Sequence, residues 1–180
     1  MKNKNNMAVN FPDPNLEAII RFKINKPTGD ILESDLIVIK SLIAGFKDIS
    51  NINGLECCTA LIYLSLNDNS ISDLSPLNGL IKLTELYLDG NLITDISPLS
   101  GLIKLTKLYL DNNKISDISP LSGLTALTYL DLNYNDMEIK PDTTQGQTNL
   151  DVVNWHIDNG CYVNWKYGNK TENKGEINEK

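Results

Sequence analysis

Histidine and cysteine, the usual zinc ligands and common catalytic groups, are scarce in this 180-residue chain. His156 is the only histidine, and the cysteines are Cys57, Cys58 and Cys161. No CxxC pair is present, so the ligand spacing of a standard zinc site is missing. An odd number of cysteines, two of them adjacent, does not make a disulfide framework. We therefore predict no metal site and expect free thiols, which are usually buried.

Carboxylates are more abundant, with 23 aspartates and glutamates against 16 lysines and arginines. General acid–base catalysis needs such groups to converge beside a substrate, but no Ser/His/Asp or Cys/His set can be placed here. We expect His156 to be a partly exposed residue of a C-terminal helix. The sequence thus predicts a protein that is not an enzyme and has no cofactor.

The net charge of -7 and the low pI restrict the class of partner. Nucleic acids and anionic membranes attract basic surfaces, so we expect neither as a partner. No apolar run reaches the length of a transmembrane helix, which predicts no membrane insertion. Residues 1–10 lack the apolar segment of a signal peptide. We therefore expect one of two locations, the cytoplasm as written, or secretion or the cell surface if an export signal has been removed, and the sequence leaves both open.

An internal repeat dominates the sequence. LYLDGNLITDISPLSG at 86–101 recurs as LYLDNNKISDISPLSG at 108–123, 22 positions later. The shared pattern LxxLxLxxNxIxDIxPLxxLxx is that of a leucine-rich repeat. Its asparagine recurs at Asn69, Asn91, Asn113 and Asn135, and Lys47 stands in its place in a degenerate upstream copy.

Each repeated position has a physical role. The alternation in LxL places both leucines on one face of a short strand and the residues around them on the other face. The asparagine can satisfy backbone groups in the turn that follows, so stacked copies form an asparagine ladder. Ser-Pro opens a short 3₁₀ turn, with serine as the expected N-cap. The aspartate two residues before that serine is expected to bond locally to the backbone.

Stacked copies of this unit predict an α/β repeat solenoid. The expected form is a leucine-rich repeat horseshoe with a parallel β-sheet on its concave face, short 3₁₀ turns on its convex face and a helical N-terminal cap. The predicted units are a disordered tail at 1–10, the helical cap at 11–38, the repeats at 39–137, a C-terminal cap at 138–166 and a disordered tail at 167–180. The repeats comprise one degenerate, three regular and one final partial copy.

The N-terminal cap is predicted from FPDPNLEAII at 11–20. Asp13 is the expected N-cap of a helix, with Pro14 as its first residue. Ser34 is expected to cap a second, shorter helix.

The C-terminal cap is predicted from TNLDVVNWHIDNG at 148–160, a helix with Leu150, Val153 and Ile157 inward and Gly160 as its stop. CYVNW at 161–165 is expected to be the last strand, with Cys161, Val163 and Trp165 on one face.

The repeat and its flanks resemble those of internalin-type bacterial leucine-rich repeat proteins. The resemblance rests on the 22-residue repeat length, on DISPLSGL at 95–102 and 117–124, and on FPDPNLEAII…KPTGDI…SDL at 11–36. It extends over about residues 11–165. It implies a surface or secreted protein that binds other proteins, host proteins among them, on its concave sheet.

The residues beside the strand leucines are expected on the concave face, and four of the seven tyrosines are among them. Tyrosine is enriched at binding hot spots because it offers a large contact area at low entropic cost. The predicted partner-binding residues are Tyr63, Glu85, Tyr87, Asp89, Lys107, Tyr109, Asp111, Tyr129 and Asp131. Tyrosine also favours strands, so the alternative is that these rings only stabilise the sheet.

These features favour a monomeric, non-catalytic module that binds another protein through its concave face. That face alone spans only about 400 Å², because each strand contributes about three outward residues. Edge-loop residues would enlarge it, and the candidates are Leu92, Lys114, Tyr134 and Asp136. The alternative function is a structural spacer or a fragment of a larger cell-surface protein.

Overall fold

A computed structural model describes residues 6–138 and 142–165 of the chain. Within these residues, six three-residue strands form one parallel sheet whose order follows the chain. The strands are β1 (Ser41–Ile43), β2 (Tyr63–Ser65), β3 (Glu85–Tyr87), β4 (Lys107–Tyr109), β5 (Tyr129–Asp131) and β6 (Tyr162–Asn164). The predicted repeat solenoid is confirmed.

The register of the sheet follows the 22-residue period. Leu64 pairs with Leu86, and Leu86 pairs with Leu108, so equivalent leucines stack from one copy to the next. Each central strand leucine is almost completely buried, because its strand exposes only the other face. In β6 this position is taken by Val163, which pairs with Leu130.

The asparagine ladder is confirmed, and it joins each copy to the one before it. The Asn91 amide donates to the carbonyls of Leu66 and Leu88, both at 3.0 Å, and its Oδ1 accepts from Ile71 N at 3.0 Å. Asn69, Asn113 and Asn135 make the same set of bonds. These bonds satisfy carbonyls in a turn that is closed to water.

The convex side carries short 3₁₀ turns, as predicted, but serine is not their N-cap. The turns are Leu55–Cys57, Ser75–Leu77, Ser97–Leu99 and Ser119–Gly123. Each serine is the first residue of its turn, and its N–H is bound by the aspartate two residues earlier: Asp73 Oδ1 accepts from Ser75 N at 2.8 Å. Asp95 and Asp117 do the same. The carboxylate reaches this N–H because it is two residues earlier, as in an Asx turn.

The N-terminal cap begins with helix α1 (Pro14–Ile24), whose N-cap is Asp13 as predicted. One oxygen of Asp13 accepts from the N–H of Leu16, and the other accepts from Ser50 N at 2.9 Å. A single carboxylate therefore caps the helix and ties it to the degenerate repeat. Leu16 lies fully buried against the first repeats.

Two predictions about this cap are wrong. Helix α2 (Glu33–Leu36) contains Ser34 instead of being capped by it, and Asp35 accepts from Leu32 N at 2.8 Å at its start. Residues 6–10 are not a disordered tail, because Ala8 forms an antiparallel bridge with Leu32 and Val9 N donates to the carbonyl of Ile31. Residues 1–5 and the predicted tail at 167–180 lie outside the described residues.

The C-terminal cap is helix α3 (Thr144–Asp158), which begins four residues earlier than predicted. Its inward face carries Asn149, Val153 and His156, all at most 1% exposed. Ile157 was predicted to point inward but is 43% exposed, because it is one residue beyond that face. His156 was predicted to be partly exposed and is buried.

Asn149 connects this helix to the last repeat. Its Oδ1 accepts from Ile118 N at 3.1 Å, and its amide donates to the carbonyls of Ser116 and Glu138. The cap therefore satisfies backbone groups of the last convex turn, which no further repeat covers. Among the described residues no helix is both long and apolar enough to cross a membrane.

Candidate functional site

The concave surface is formed by three columns of side chains that follow the register of the sheet. The first column contains Ser41, Tyr63, Glu85, Lys107, Tyr129 and Tyr162. The second contains Ile43, Ser65, Tyr87, Tyr109, Asp131 and Asn164. The third, just beyond the strands, contains Gly45, Asn67, Asp89, Asp111 and Asn133.

Five tyrosine rings cross this surface in one continuous stack. Adjacent centroids are 5.3, 4.5, 4.8 and 5.5 Å apart along the series. The members of this tyrosine stack are Tyr63, Tyr87, Tyr109, Tyr129 and Tyr162. Such separations are those of interacting aromatic pairs, so each ring covers a face of the next.

Tyr162 was missing from the predicted set. Its position could have been inferred from the alternation in CYVNW, where Cys161 and Val163 point inward and Tyr162 therefore points outward. The structure places it beside Tyr129 on the paired strand, 56% exposed at the last strand of the described sheet. The stack thus extends one strand further than the four tyrosines of the prediction.

The hydroxyl groups of the stack bind carboxylates of the same surface. Tyr87 Oη donates to Glu85 at 3.1 Å, and Tyr129 Oη donates to Asp131 at 3.3 Å. Burial, together with the bond to Glu85, raises the pKa of Tyr87. Burial and the charge of Asp131 raise the pKa of Tyr129 to about 12. Both phenols therefore stay protonated and act as donors.

Lys107 is the single cation of the three columns, and it is already paired. Its Nζ lies 3.3 Å from Glu85 Oε1 on the neighbouring strand. The described residues contain two other ion pairs, and both lie in the N-terminal cap. The aspartates of the concave surface consequently have no cationic partner among the described residues.

Asp89 and Asp111 stand in the third column on successive copies, and Asp68 lies on the copy before them, one repeat position later; we call these three residues the carboxylate column. Asp68 N donates to the carbonyl of Asp89, and Gly90 N donates to the carbonyl of Asp111, so the three lie on successive copies. Burial, and then the charges of Asp131 and Asp89, raise the pKa of Asp111 to about 6. Burial, with the charges of Asp68 and Asp131, also raises the pKa of Asp89.

Asp131 differs from the other predicted site residues because it is buried, at 8% exposure. It accepts from the backbone N–H and the amide of Asn133, and Asn164 donates to its other oxygen at 2.9 Å. The other eight predicted residues are half-buried on the concave surface. Asp131 therefore holds β5, β6 and the following turn together instead of standing free for a partner.

The turn after each strand has a left-handed residue at a fixed position of the repeat. These residues are Phe46, Asp68, Gly90, Asn112 and Tyr134, with φ between 51° and 64°. Aspartate, asparagine and glycine tolerate this conformation, whereas bulky side chains rarely adopt it. Phe46 and Tyr134 nevertheless adopt it and are 74% and 56% exposed. The prediction named Tyr134 and overlooked Phe46, which the repeat alignment could have identified.

The remaining reactive side chains do not form a second centre. Burial raises the pKa of Cys58 to about 12 and that of Cys161 to about 11, so both thiols are protonated at neutral pH. His156 Nε2 lies 3.1 Å from the carbonyl of Leu121 and must carry a proton, because a carbonyl only accepts. Burial lowers the pKa of His156, so the ring is neutral. Among the described residues no cluster of His, Cys, Asp and Glu is arranged to hold a metal ion.

A cavity of about 250 Å³ lies in the N-terminal cap, away from the concave surface. Arg21 lines it, but its guanidinium is already bound by Glu17 at 2.7 Å and by the carbonyls of Lys26 and Gly29. The cavity thus offers no unpaired cation to a ligand. The concave surface, with its stacked tyrosines and with carboxylates that have no ion pair among the described residues, is the chemically richer candidate site.

Comparison with known proteins agrees with this geometry. Two leucine-rich repeat family models match, one at residues 81–137 and one for paired repeats at 59–101. An internalin of Listeria monocytogenes, InlF, is 34% identical over 77% of this chain, with a TM-score of 0.66. The chain is an internalin-like leucine-rich repeat protein. No curated protein sequence matches it at a significant level.

Two further structures are similar to this internalin-like protein. The functional domain of InlJ from Listeria monocytogenes is 26% identical over 80% of the chain, with a TM-score of 0.62. A leucine-rich repeat protein of Leptospira interrogans shares the fold, at 20% identity over 72% of the chain and a TM-score of 0.51. The chain spans 48% of the InlF structure and 38% of each of the other two. These relatives indicate a bacterial origin, and leucine-rich repeats generally serve as protein-interaction modules.

Proposed function

We propose that this internalin-like protein is a non-catalytic module that binds one protein partner through its concave surface. The observation that carries the proposal is the tyrosine stack, which crosses the surface without a break from β2 to β6. Burying large rings at an interface costs little side-chain entropy, and here the stack already restricts their rotation. The surface is therefore preorganised for a partner.

Exposed apolar groups beside the stack support the proposal. Ile43 is 70% exposed in the second column on β1, and Phe46 is 74% exposed in the turn that follows. At the other end Tyr134 is 56% exposed. These side chains enlarge a sheet that is small for a standard interface of about 800 Å² per partner. A partner that covers both the stack and the edge turns would reach that size.

The alternative is a structural spacer or a fragment of a larger cell-surface protein. Two observations favour it: the rings of the stack cover each other, and the chain spans less than half of the InlF structure. Stacked rings stabilise a sheet whether or not a partner is present. A spacer has no need, however, for carboxylates that lack a cation, such as Asp89 and Asp111.

Site-specific photocrosslinking tests the proposal directly. A benzophenone amino acid replaces Tyr63 or Tyr109 on the concave surface, and Phe22 in a matched control, since Phe22 is 88% exposed on helix α1. The probes are bacterial and host-cell extracts, the two sources that the family resemblance implies. One protein should crosslink at both concave positions and not at Phe22, and Tyr87→Ala/Tyr109→Ala should no longer recover it. Equal crosslinking at all three positions, or none, would favour the spacer.

A further inference from the structure

We infer that the partner of the concave surface presents a lysine or arginine side chain, whose cationic group lies over Asp89 and Asp111. This inference deepens the proposed function and rests on it, because it names the chemistry of the partner at the same surface. Two observations support it. The carboxylate column has no cationic partner among the described residues, and the buried side-chain oxygen of Asn133 has no hydrogen-bond donor there.

The charge of the column is not neutralised within the described residues. Asp68, Asp89 and Asp111 lie on successive copies, yet the three ion pairs of the described ranges include none of them. Lys107 reaches Glu85 instead. Like charges on adjacent strands repel each other, and half-burial strengthens that repulsion by lowering the local dielectric constant. A cation from outside would relieve it.

Asn133 provides the second observation. It occupies the repeat position of Asp111 on the next copy, since Leu110 N donates to the carbonyl of Asp131 and Asn112 N donates to that of Asn133. Its side chain is 8% exposed, and its Oδ1 has no hydrogen-bond partner among the described residues. A buried acceptor without a donor destabilises the protein, so such groups usually have a donor when a site is occupied.

The orientation of this amide is determined by Asp131. The amide nitrogen of Asn133 lies 2.9 Å from Asp131 Oδ1, a carboxylate that can only accept. Turning the amide over would place two oxygens against each other, so the carbonyl oxygen must remain the unpaired atom. A donor is therefore missing one repeat beyond Asp111, beside the carboxylate of Asp131.

Only a cationic side chain meets both requirements. An ammonium or guanidinium group carries several N–H donors and a positive charge, so it can bind Asp111 and approach Asn133 together. An anionic group would be repelled, and an apolar group would bury the carboxylates unpaired. Cation–π contact cannot replace this pairing along the stack, because the inner faces of Tyr87 and Tyr109 cover each other at 4.5 Å.

The titration of Asp111 gives the inference a second readout. The charged groups that face it are Asp131 on β5, Asp89 after β3 and Asp68 after β2, and all are acidic. Because the pKa of Asp111 is about 6, acidification below that value removes one of the two charges that would bind the cation. Binding of a cationic probe should consequently weaken as the pH falls from 7.5 to 5.

Defined peptides test the inference. A short blocked peptide of alternating alanine and lysine is titrated into the full ¹⁵N-labelled protein, and glutamine and glutamate versions serve as neutral and anionic probes. The lysine peptide should perturb the amides of Gly90 and Asn112 and bind at least about tenfold more tightly than the others. Asp89→Asn/Asp111→Asn should weaken it about tenfold and remove the pH dependence.

The matched control is Asp30→Asn/Asp158→Asn, which changes two exposed aspartates outside the three columns of the concave surface and leaves the same net charge. It should alter the affinity by less than about twofold. Equal weakening by both double variants would mean that only the overall charge attracts the peptide, which overturns the inference. Concave binding of the glutamine peptide with equal affinity would also overturn it, while leaving concave-surface binding intact. The crosslinking at Tyr63 and Tyr109 tests that binding independently.

Discussion

The rings of Tyr87 and Tyr109 stack with their centroids 4.5 Å apart and their planes within 10° of each other. The two residues pair directly across β3 and β4, so the ring contact follows from the register of the sheet. Tyr63 and Tyr129 stand in the neighbouring column and pack against this central pair from either side. Residues from two columns thus combine into one stack, which stiffens the surface proposed to bind a partner.

Tyr109→Ala should destabilise the protein by about 1–3 kcal/mol, because the ring contacts both Tyr87 and Tyr129. Tyr109→Phe keeps both ring contacts and loses a hydroxyl that has no hydrogen bond among the described residues, so it should be nearly neutral. Urea unfolding of the two variants provides the measurement. Equal losses in both would show that stacking is not what stabilises this position.

Asn113→Ala should cost about 3 kcal/mol or more, because it leaves the carbonyls of Leu88 and Leu110 and the N–H of Ile93 unsatisfied in a buried turn. Asn78→Ala is the control, since that side chain is exposed and outside the ladder. Chemical denaturation measures both. A loss of less than about 1 kcal/mol for Asn113→Ala would contradict the role assigned to the ladder.

Acidification should weaken the C-terminal cap through His156. Because burial lowers its pKa in the folded protein, the unfolded chain binds the proton more readily. The neutral ring of His156 therefore contributes fully to the free energy of unfolding above about pH 6.5. Below that pH the free energy of unfolding falls, by up to about 1.4 kcal/mol per pH unit. The free energy of unfolding should be measured between pH 5 and 8 in the Asp111→Asn variant. Asp111 titrates in the same pH range, and its protonation stabilises the protein, so it would mask the effect of His156. His156→Phe should flatten this slope, and a slope that persists would rule out His156 as its source.

Asp111→Asn should stabilise the protein at neutral pH. The raised pKa means that folding disfavours the charged carboxylate, so the penalty is present above pH 6 and disappears as the pH falls below about 4, the unfolded value. The gain at pH 7 should be about 1–3 kcal/mol by linkage. Unfolding curves at pH 7.5 and pH 4 compare the variant with Asp158→Asn, an exposed aspartate. A gain that is the same at both pH values would refute the explanation by burial and neighbouring charge.

Phe46→Gly should stabilise the protein by about 1 kcal/mol, because the left-handed conformation of Phe46 is strained for a residue with a Cβ and costs glycine nothing. Phe46→Leu keeps the Cβ and should bring no gain. Thermal unfolding separates the two. If Phe46→Gly proved destabilising, the exposed ring would have to make contacts that outweigh the backbone strain. The same variant should weaken partner binding if Phe46 belongs to the interface.

Most of the fold could be predicted, because its rules act within one repeat or between identical positions of adjacent repeats. Leu86 and Asn91 each do in one copy what their equivalents do in the others, so periodicity is enough to assign them. Prediction from local sequence was less accurate where two neighbouring polar residues could each bind the backbone at the start of a turn. Serine was expected to cap the convex turns, but Ser75 is the first residue of its turn, and its own N–H donates to Asp73 two residues earlier.

The candidate site was predictable only in part. The alternation of the strands placed Tyr87, Tyr109 and the aspartates on the concave face, and the structure agrees. Asp131 has the same sequence signal, yet it is buried because Asn133 and Asn164 enclose it. The second of these lies 33 residues away, beyond any local pattern.

The sequence by itself determined the repeat, the identity of the stacked leucines and asparagines, and the face on which each strand residue lies, because a period of two and a period of 22 suffice for these. Only the tertiary structure decided that Tyr162 completes the stack, that His156 meets Leu121, and that Asp111 loses enough water to hold its proton near pH 6. Each of these depends on groups far apart in the chain coming within a few ångströms. Desolvation and stacking act only at such distances.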